Sequence, residues 1–284
     1  MRRSSSSRIV LYAALVAAAL LFLAPLYVVI VASLKPLDEI RAGGIIALPL
    51  APTLSAWAKA WGTACVGSNC VGLRPYFLNS WLIALPAVAI SVMVGAVNGY
   101  ALTKWRFRGA DVLFAALLVG CFIPFQVILI PMARVLAALG LFGSLAGLVL
   151  VHVAYGIAVT TLLFRNFYLG VPDEIVRAAR LDGAGFFAVF FHVVLPLSKP
   201  MLAVAAILQF TGIWNDFLFG VVFAGPGNAP VTVALNNLAS ASLGAREYNT
   251  DMAAALLTAL PTLIVYVVSG RYFLRGLAAG AVKG

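Results

Sequence analysis

Six apolar stretches, each about as long as the hydrocarbon core of a bilayer is thick, constrain this chain before any motif does. They cover residues 9–34, 77–102, 111–136, 145–164, 201–224 and 252–274, and about 20 such residues span a membrane as a helix. Within lipid no water satisfies backbone N–H and C=O groups, so a spanning segment must bond internally. Composition agrees: 63% of the 284 residues are hydrophobic and 10% charged, against about 45–50% and 25% in soluble domains. The expectation is an all-α integral membrane protein with six transmembrane helices. Residues 1–8 form a short N-terminal segment and 9–284 a single membrane domain. "MRRSSSSR" imitates the start of a signal peptide, but the run after it exceeds the ~7–15 apolar residues of such a peptide and reads as a retained span. Pro86, Pro124, Pro131 and Pro261 fall inside the runs, which predicts kinked helices.

Basic residues gather on the cytoplasmic side of membrane proteins. An N-terminus inside places Arg2, Arg3, Arg8, Lys104, Arg106, Arg108, Arg165, Arg177, Arg180, Lys199, Arg271, Arg275 and Lys283 there, thirteen of the 19 basic residues. Both termini are then cytoplasmic. The net charge of +10 is dispersed in these short clusters, without the Arg and aromatic stripe of a nucleic-acid groove. The outside loops are led by residues 35–76, which carry Trp57, Trp61, Cys65 and Cys70, and by 225–251, "GPGNAPVTVALNNLASASLGAREYNTD". The latter suggests a short extended or re-entrant element. Cys65 and Cys70 lack the His partners of a zinc site; they are either free thiols or, facing an oxidising space, a disulfide. Cys121 reads as a small buried hydrophobe.

The 165–200 segment, the largest inside loop, is different in kind. Pro172, Asp173 and Glu174 suit a helix start, which predicts a short helix over Asp173–Leu181 ended by Gly183 in the left-handed conformation. A second helix is expected over 185–195, with Pro196 and Pro200 marking the return to the membrane. Phe186, Phe187, Phe190, Phe191, Val193 and Val194 make it too apolar to stand in water. It either packs beneath the protein's own helices or docks a cytoplasmic partner.

The order Pro172, Glu174, Ala178-Ala179, Asp182-Gly183-Ala184, Phe190 and Leu195-Pro196 resembles the "EAA" loop of ABC importer permeases. "IPFQVILIP" at 123–131, "WNDF" at 214–217 and "GLAAGAVKG" at 276–284 are similar to the carbohydrate-uptake subfamily, within it to the maltose-type second permease. "GTACVGSNC" and "VTVALNNL" resemble glucose/mannose-type members. The resemblance implies a bacterial cytoplasmic (inner) membrane location and a coupling helix-turn-helix between helices 4 and 5. It implies coupling residues Glu174, Arg177, Ala178, Ala179, Asp182, Gly183, Ala184, Phe190, Leu195 and Pro196. The implied partners are a homologous permease, two ATPase subunits and an extracytoplasmic sugar-binding protein. One departure is Arg177, where the family has Glu before Ala-Ala; Glu174 either supplies the acid instead or pairs with Arg177 at i,i+3. By the same resemblance the tail at 278–284 reaches toward the ATPase dimer; otherwise it is a frayed terminus.

Polar residues within spans are substrate-path candidates: Gln126, Gln209, Asn215 and Asp216, with Trp214 as a stacking surface. Each also has a structural reading as interhelical glue, which is the preferred one for Asn79, Asn98 and His152. Asp216, ionisable within a span, defaults to a functional hypothesis. No GxxxxGK[ST] motif is present, so the chain is not expected to be an enzyme or to hold a cofactor, and ATP with Mg belongs to the partner ATPase. The competing reading is a proton-coupled secondary transporter using Asp216 and His152, against which stands the lack of an inverted repeat. A membrane enzyme is disfavoured by having only two histidines, His152 and His192, and no paired carboxylates on one span.

Overall fold

The structure is a computed structural model; it describes residues 5–44, 46–105, 107–240 and 246–281, with side chains from Arg8 to Gly270 within those ranges. Arg2, Arg3, Arg106 and Lys283 lie outside the described residues, as do the side chains of Arg271 and Arg275 and the last three residues of the tail.

All regular structure among the described residues is helical. In chain order it comprises α1 Ser5–Ser33, α2 Leu37–Arg41, α3 Ser55–Gly62, α4 Arg74–Tyr100, a π-turn Ala101–Trp105, α5 Ala110–Phe122, α6 Leu129–Ala138, α7 Leu145–Leu169 and α8 Asp173–Leu181. Then come α9 Phe186–Val189, a second π-turn Phe190–Val194, α10 Leu195–Leu197, α11 Lys199–Trp214, α12 Leu218–Phe223, α13 Val231–Ser240 and α14 Tyr248–Ala281.

Four helical stretches are long and apolar enough to cross a bilayer alone: Arg8–Ser33, Arg74–Trp105, Leu145–Leu169 and Tyr248–Gly270. They coincide with four of the six expected spans. The other two, 111–136 expected as a kinked helix and 201–224 as a continuous one, are broken. The 111–136 run parts into α5 and α6, of 13 and 10 residues. Pro124 is the cause: it pushes the preceding Ile123 into extended backbone, φ −70° and ψ 119°, away from the helical region. A turn follows, with Val127 N donating to Pro124 O, before α6 begins. Pro131 does no damage, since it sits in the first turn of α6, where no intrahelical partner is needed. The 201–224 run parts at Asn215–Phe217 into α11 and α12, and α11 itself turns by 80° from the Phe186–Leu197 helix before it. Pro86 and Pro261 lie inside uninterrupted helices. Residues 278–281 of the tail continue α14; adding residues to an existing helix avoids the cost of a new nucleus.

The chain divides into two compact units, one of residues up to Pro75 with Ala234–Leu260, the other Tyr76–Val233 with the chain from Pro261 onward. In the first, the loop after α1 is held by polar bonds to side chains the helices present. Trp57 Nε1 donates to Ser33 Oγ at 3.2 Å, and Asn249 Nδ2 to Lys35 O at 3.1 Å. Lys35 is 1% exposed, its Nζ donating to Gly44 O at 2.7 Å. Cys65 and Cys70 form a disulfide across the turn where Val66 and Asn69 exchange backbone hydrogen bonds. Beside it Gly72, at φ +63°, lies where a Cβ would come 2.3 Å from Trp61 O.

Lys59 Nζ donates to Glu247 Oε1 at 2.6 Å, and chiefly that bond holds the Glu247 carboxyl below its ordinary value, against a smaller opposing effect of burial. A carboxylate lowered on folding stabilises above its unfolded-state value and ceases to do so as pH falls through the folded one. Both side chains are about two-fifths exposed, so the pair contributes at most about 1 kcal/mol. The stability gap between the native chain and Lys59→Met, followed by thermal unfolding, is expected to be present at neutral pH and to close below about pH 4.

In the second unit α4 and α7 approach without side chains between them. Ser91, Gly95 and Gly99 recur every four residues on α4. A Cβ at Gly95 would lie 2.3 Å from Thr160 Oγ1, and one at Gly99 2.7 Å from Phe164 Cβ. Thr160 Oγ1 shares its proton between Ser91 O at 2.9 Å and Gly156 O at 2.8 Å. Such small-residue contacts replace the hydrophobic drive that lipid does not provide. Gly95→Leu is expected to destabilise the protein by about 1–3 kcal/mol through overpacking, read as a lowered unfolding temperature in detergent. Gly120→Ala, where a Cβ meets nothing within 4 Å, is expected to leave it unchanged.

Candidate functional site

The helix-turn-helix begins where Asp173 and Glu174 place negative charge on the N-terminal turn of α8. Gly183, at φ +83°, ends it. Gly183 N donates to Arg180 O at 3.0 Å and Ala184 N to Ala179 O at 3.0 Å, the paired bonds of a Schellman closure. The turn is thus fixed by backbone geometry, and its tip projects.

One side of this unit is sealed beneath the membrane helices. Val176, Val189, Phe190 and Val194 are buried with Tyr100 of α4 and Phe164 and Tyr168 of α7. Tyr100 meets Phe186 at 4.8 Å and Phe190 at 5.6 Å between ring centroids. Ser198, fully buried, donates to Val194 O at 2.6 Å and lies 3.0 Å from the Tyr168 hydroxyl.

The π-turn after α4 supplies the polar clamp. Lys104 Nζ donates to Val171 O at 2.5 Å and meets Asp173 Oδ1 at 2.6 Å. Arg180 Nη2 donates to Lys104 O at 2.8 Å, and its guanidinium sits 4.1 Å over the Trp105 ring, a favourable cation–π geometry. α8 is therefore tied at both ends to the π-turn that follows α4.

The opposite side is open. Leu181 is 89% exposed and Phe187 64%, with Phe191 about half exposed; the Phe187 and Phe191 rings stack at 6.5 Å. Glu174, Arg177, Ala178, Asp182, Gly183 and Pro196 are exposed, Ala179, Ala184 and Leu195 half-buried, and Phe190 buried. No ion pair joins Glu174 to Arg177 among the described residues. The reading of packing beneath the protein's own helices thus holds for one face, and the other face is left open. Leu181, the clamp residues Lys104, Asp173 and Arg180, and the Trp105 ring were missed by motif reasoning. Their signal was an apolar residue directly before Asp-Gly, and basic and acidic residues bracketing two helix ends.

The substrate-path candidates do not form one group. Trp214 is 1% exposed, its ring packed at 5.0 Å against Trp81, 5.5 Å against Phe210 and 5.7 Å against Phe77. It presents no open stacking face, which corrects that expectation; in a span, a large aromatic is buried wherever neighbouring helices supply partners. Asp216 accepts from Phe219 N at 3.3 Å and Gly220 N at 3.1 Å, capping α12 across the break. His152 Nε2 stands 3.8 Å from Asp216 Oδ2, too far for a hydrogen bond. Gln209 Nε2 donates to Gly156 O at 3.3 Å. Gln126, in the break before α6, and Asn215 are exposed. Asn79 Nδ2 donates to Gly227 O and Ala229 O at 2.8 and 3.0 Å, and Asn98 Nδ2 to Thr161 Oγ1 at 3.3 Å: these two tie segments together.

Among the described residues, apolar spans, two broken helices and a projecting helix-turn-helix define a helical membrane protein, and comparison with known proteins specifies its family. Residues 87–275 match the family described as the binding-protein-dependent transport system inner membrane component, and the chain belongs to that family. A probable ABC transporter permease protein of Pyrococcus horikoshii is 38% identical over the full length of both chains. The xylose/arabinose import permease protein of Haloferax volcanii is 32% identical over 92% of this chain and 88% of its own. Among solved structures, a chain of a bacterial ABC transporter involved in the import of the acidic polysaccharide alginate shares the fold. It is superposed with a TM-score of 0.80 over 96% of this chain and 99% of that one, at 23% identity.

Phe190→Ala, which empties a fully buried site, is expected to cost about 3–5 kcal/mol. Leu181→Ala, at the exposed tip, is expected to change stability by no more than about 0.5 kcal/mol. Thermal unfolding of the two purified variants checks the contrast.

Proposed function

We propose that this chain is a membrane-spanning permease subunit of an ATP-driven importer of sugars. It works beside a homologous permease, two ATPase subunits that hold ATP and Mg, and an extracytoplasmic binding protein. The observation that carries the reading is the helix-turn-helix: clamped to α4 on one side, closed by Gly183 at its tip and apolar on its open face. A surface of that kind calls for a partner, and one tied to a spanning helix can transmit a push.

In this reading the coupling residues Glu174, Arg177, Ala178, Ala179, Asp182, Gly183, Ala184, Leu195 and Pro196 lie in or beside a cleft of an ATPase subunit, with Phe190 as the anchor behind them. Closure of the ATPase dimer drives the turn against α4 and reopens the path outward. The chain crosses the membrane six times with both termini inside, α5–α6 and α11–α12 serving as broken crossings whose freed backbone groups are met within the protein. The Cys65–Cys70 disulfide supports an outside position for the loop after α1. The xylose/arabinose permease among the relatives supports a carbohydrate cargo. "GTACVGSNC" and "VTVALNNL" narrow it to glucose or mannose.

The proton-coupled alternative has in its favour only the proximity of His152 to Asp216. Asp216 already serves as the cap of α12, and family membership points to ATP as the energy source.

A Cβ at Gly183 meets nothing within 4 Å inside this chain, so a substitution there acts on what docks and, through the φ of +83°, on the turn itself. Gly183→Glu is expected to insert normally but to lose most sugar-stimulated ATP hydrolysis in the reconstituted complex. Co-purification of the tagged native chain with an ATPase, and hydrolysis raised by one liganded binding protein, tests the whole reading. A chain that purifies alone, with uptake abolished by collapse of the proton gradient, refutes it.

A further inference from the structure

The Tyr155 hydroxyl, on α7, is buried and has no hydrogen-bond partner among the described residues. A buried hydroxyl left unpaired by protein groups is unfavourable, and no neighbouring side chain among the described residues pairs with it. Its surroundings are unusual for a spanning helix. The Phe219 ring of α12 lies 5.0 Å from the Tyr155 ring, and Phe125 lies 6.4 Å from Tyr155 and 5.9 Å from Phe219, each edge-on to it. Phe125 is about half exposed and its neighbour Gln126 is exposed, both in the unwound break between α5 and α6. Non-helical backbone at membrane depth is tolerated where it lines a cavity or is buried in protein.

These observations converge on one place: a non-helical break carrying an exposed aromatic ring and an amide, the ring edge-on to a phenol whose hydroxyl has no protein partner among the described residues. We infer that Phe125, Gln126 and Tyr155 form a carbohydrate subsite on the translocation path, in which the Phe125 ring supports the apolar face of the sugar and the Tyr155 hydroxyl bonds one of its hydroxyls. The inference rests on the sugar-importer reading and joins Phe125 and Tyr155 to Gln126, already a substrate-path candidate. In the state described here Phe125 closes over Tyr155; its withdrawal with the break exposes the phenol. The hydroxyl is unpaired in the closed state because its partner is the cargo.

The chemistry is selective for polyols. A site built around a buried hydrogen-bonding group discriminates against an analogue lacking the matching hydroxyl. An aromatic rim with a few polar groups is the common form of a small-molecule site.

The test uses the complete transporter in proteoliposomes with its own binding protein, measuring sugar transported per ATP hydrolysed with D-glucose and monodeoxy-D-glucoses that the binding protein still takes. Tyr155→Phe is expected to match the native unfolding temperature or exceed it. It is expected to transport roughly three- to tenfold less glucose per ATP, the scale of one neutral hydrogen bond. It is further expected to lose the native preference for glucose over the deoxy sugar that lacks the recognised hydroxyl, a signature a packing defect does not produce. Phe125→Leu, which keeps apolar bulk but no ring face, is expected to lose transport of both sugars alike. If Tyr155→Phe transports glucose as the native complex does, or keeps the same preference among the deoxy sugars, the subsite is overturned while the importer reading stands. If the native complex hydrolyses ATP without moving any sugar, both fall.

Discussion

The close approach of α4 to α7 is the contact on which the rest of the second unit depends. Lipid is as apolar as the side chains it surrounds, so two spanning helices gain nothing from burial alone. They gain from proximity, and proximity here comes from the absence of side chains at Gly95 and Gly99 and from Thr160 reaching the Ser91 carbonyl. With the helices this close, Tyr100, Phe164 and Tyr168 sit together where α4 ends and α7 approaches its C-terminus. That aromatic floor is what the helix-turn-helix rests on. A wider spacing would leave Val189, Phe190 and Val194 with a gap to fill.

Two π-turns meet at this floor, Ala101–Trp105 on the end of α4 and Phe190–Val194 in the second arm of the turn. Each inserts an extra residue into a helical register, a distortion that is found mostly at functional places. Its effect on α4 is geometrical: Lys104 reaches Asp173 and Val171, and Trp105 lies under Arg180. A regular helix would carry those side chains about a quarter of a turn round the axis. The clamp and the unusual register therefore explain each other.

Much of this was legible in the sequence, and the reasons are physical. Run length marks spanning helices because bilayer thickness is fixed, so the first, second, fourth and sixth runs needed no structural information. Asp182-Gly183 marked the turn because few residues besides glycine adopt positive φ. What the sequence hid depended on relations between distant segments. Hydropathy does not distinguish one helix from two end to end, so it presents the break at Pro124 as a kink and gives no sign of the one at Asn215–Phe217. Pro86 and Pro261 look the same in a hydropathy profile and leave their helices whole. Trp214 beside Asn215 and Asp216 reads as an exposed sugar-stacking group until Phe77, Trp81 and Phe210 are placed around it. The Ser91, Gly95, Gly99 spacing was visible but had no meaning until Thr160 and Phe164 stood opposite.

The same relations separate parts of the second unit that move together from parts that can move alone. α4, α7 and the helix-turn-helix are joined by small-residue contact, aromatic packing and a charged clamp, three kinds of interaction that would all have to fail for the tip to shift without α4. The breaks are joined more lightly. The α5–α6 break presents Phe125 and Gln126 with one exposed side, and the α11–α12 break is held mainly by Asp216 capping α12 and by Thr232 donating to the Asp216 carbonyl at 2.5 Å. Under the proposed function, a push on the turn would be carried through α4 and α7 and absorbed where the backbone already leaves the helix. The aromatic cluster of Phe125, Tyr155 and Phe219 joins residues from both broken crossings to α7, and so lies where rigid and yielding parts meet.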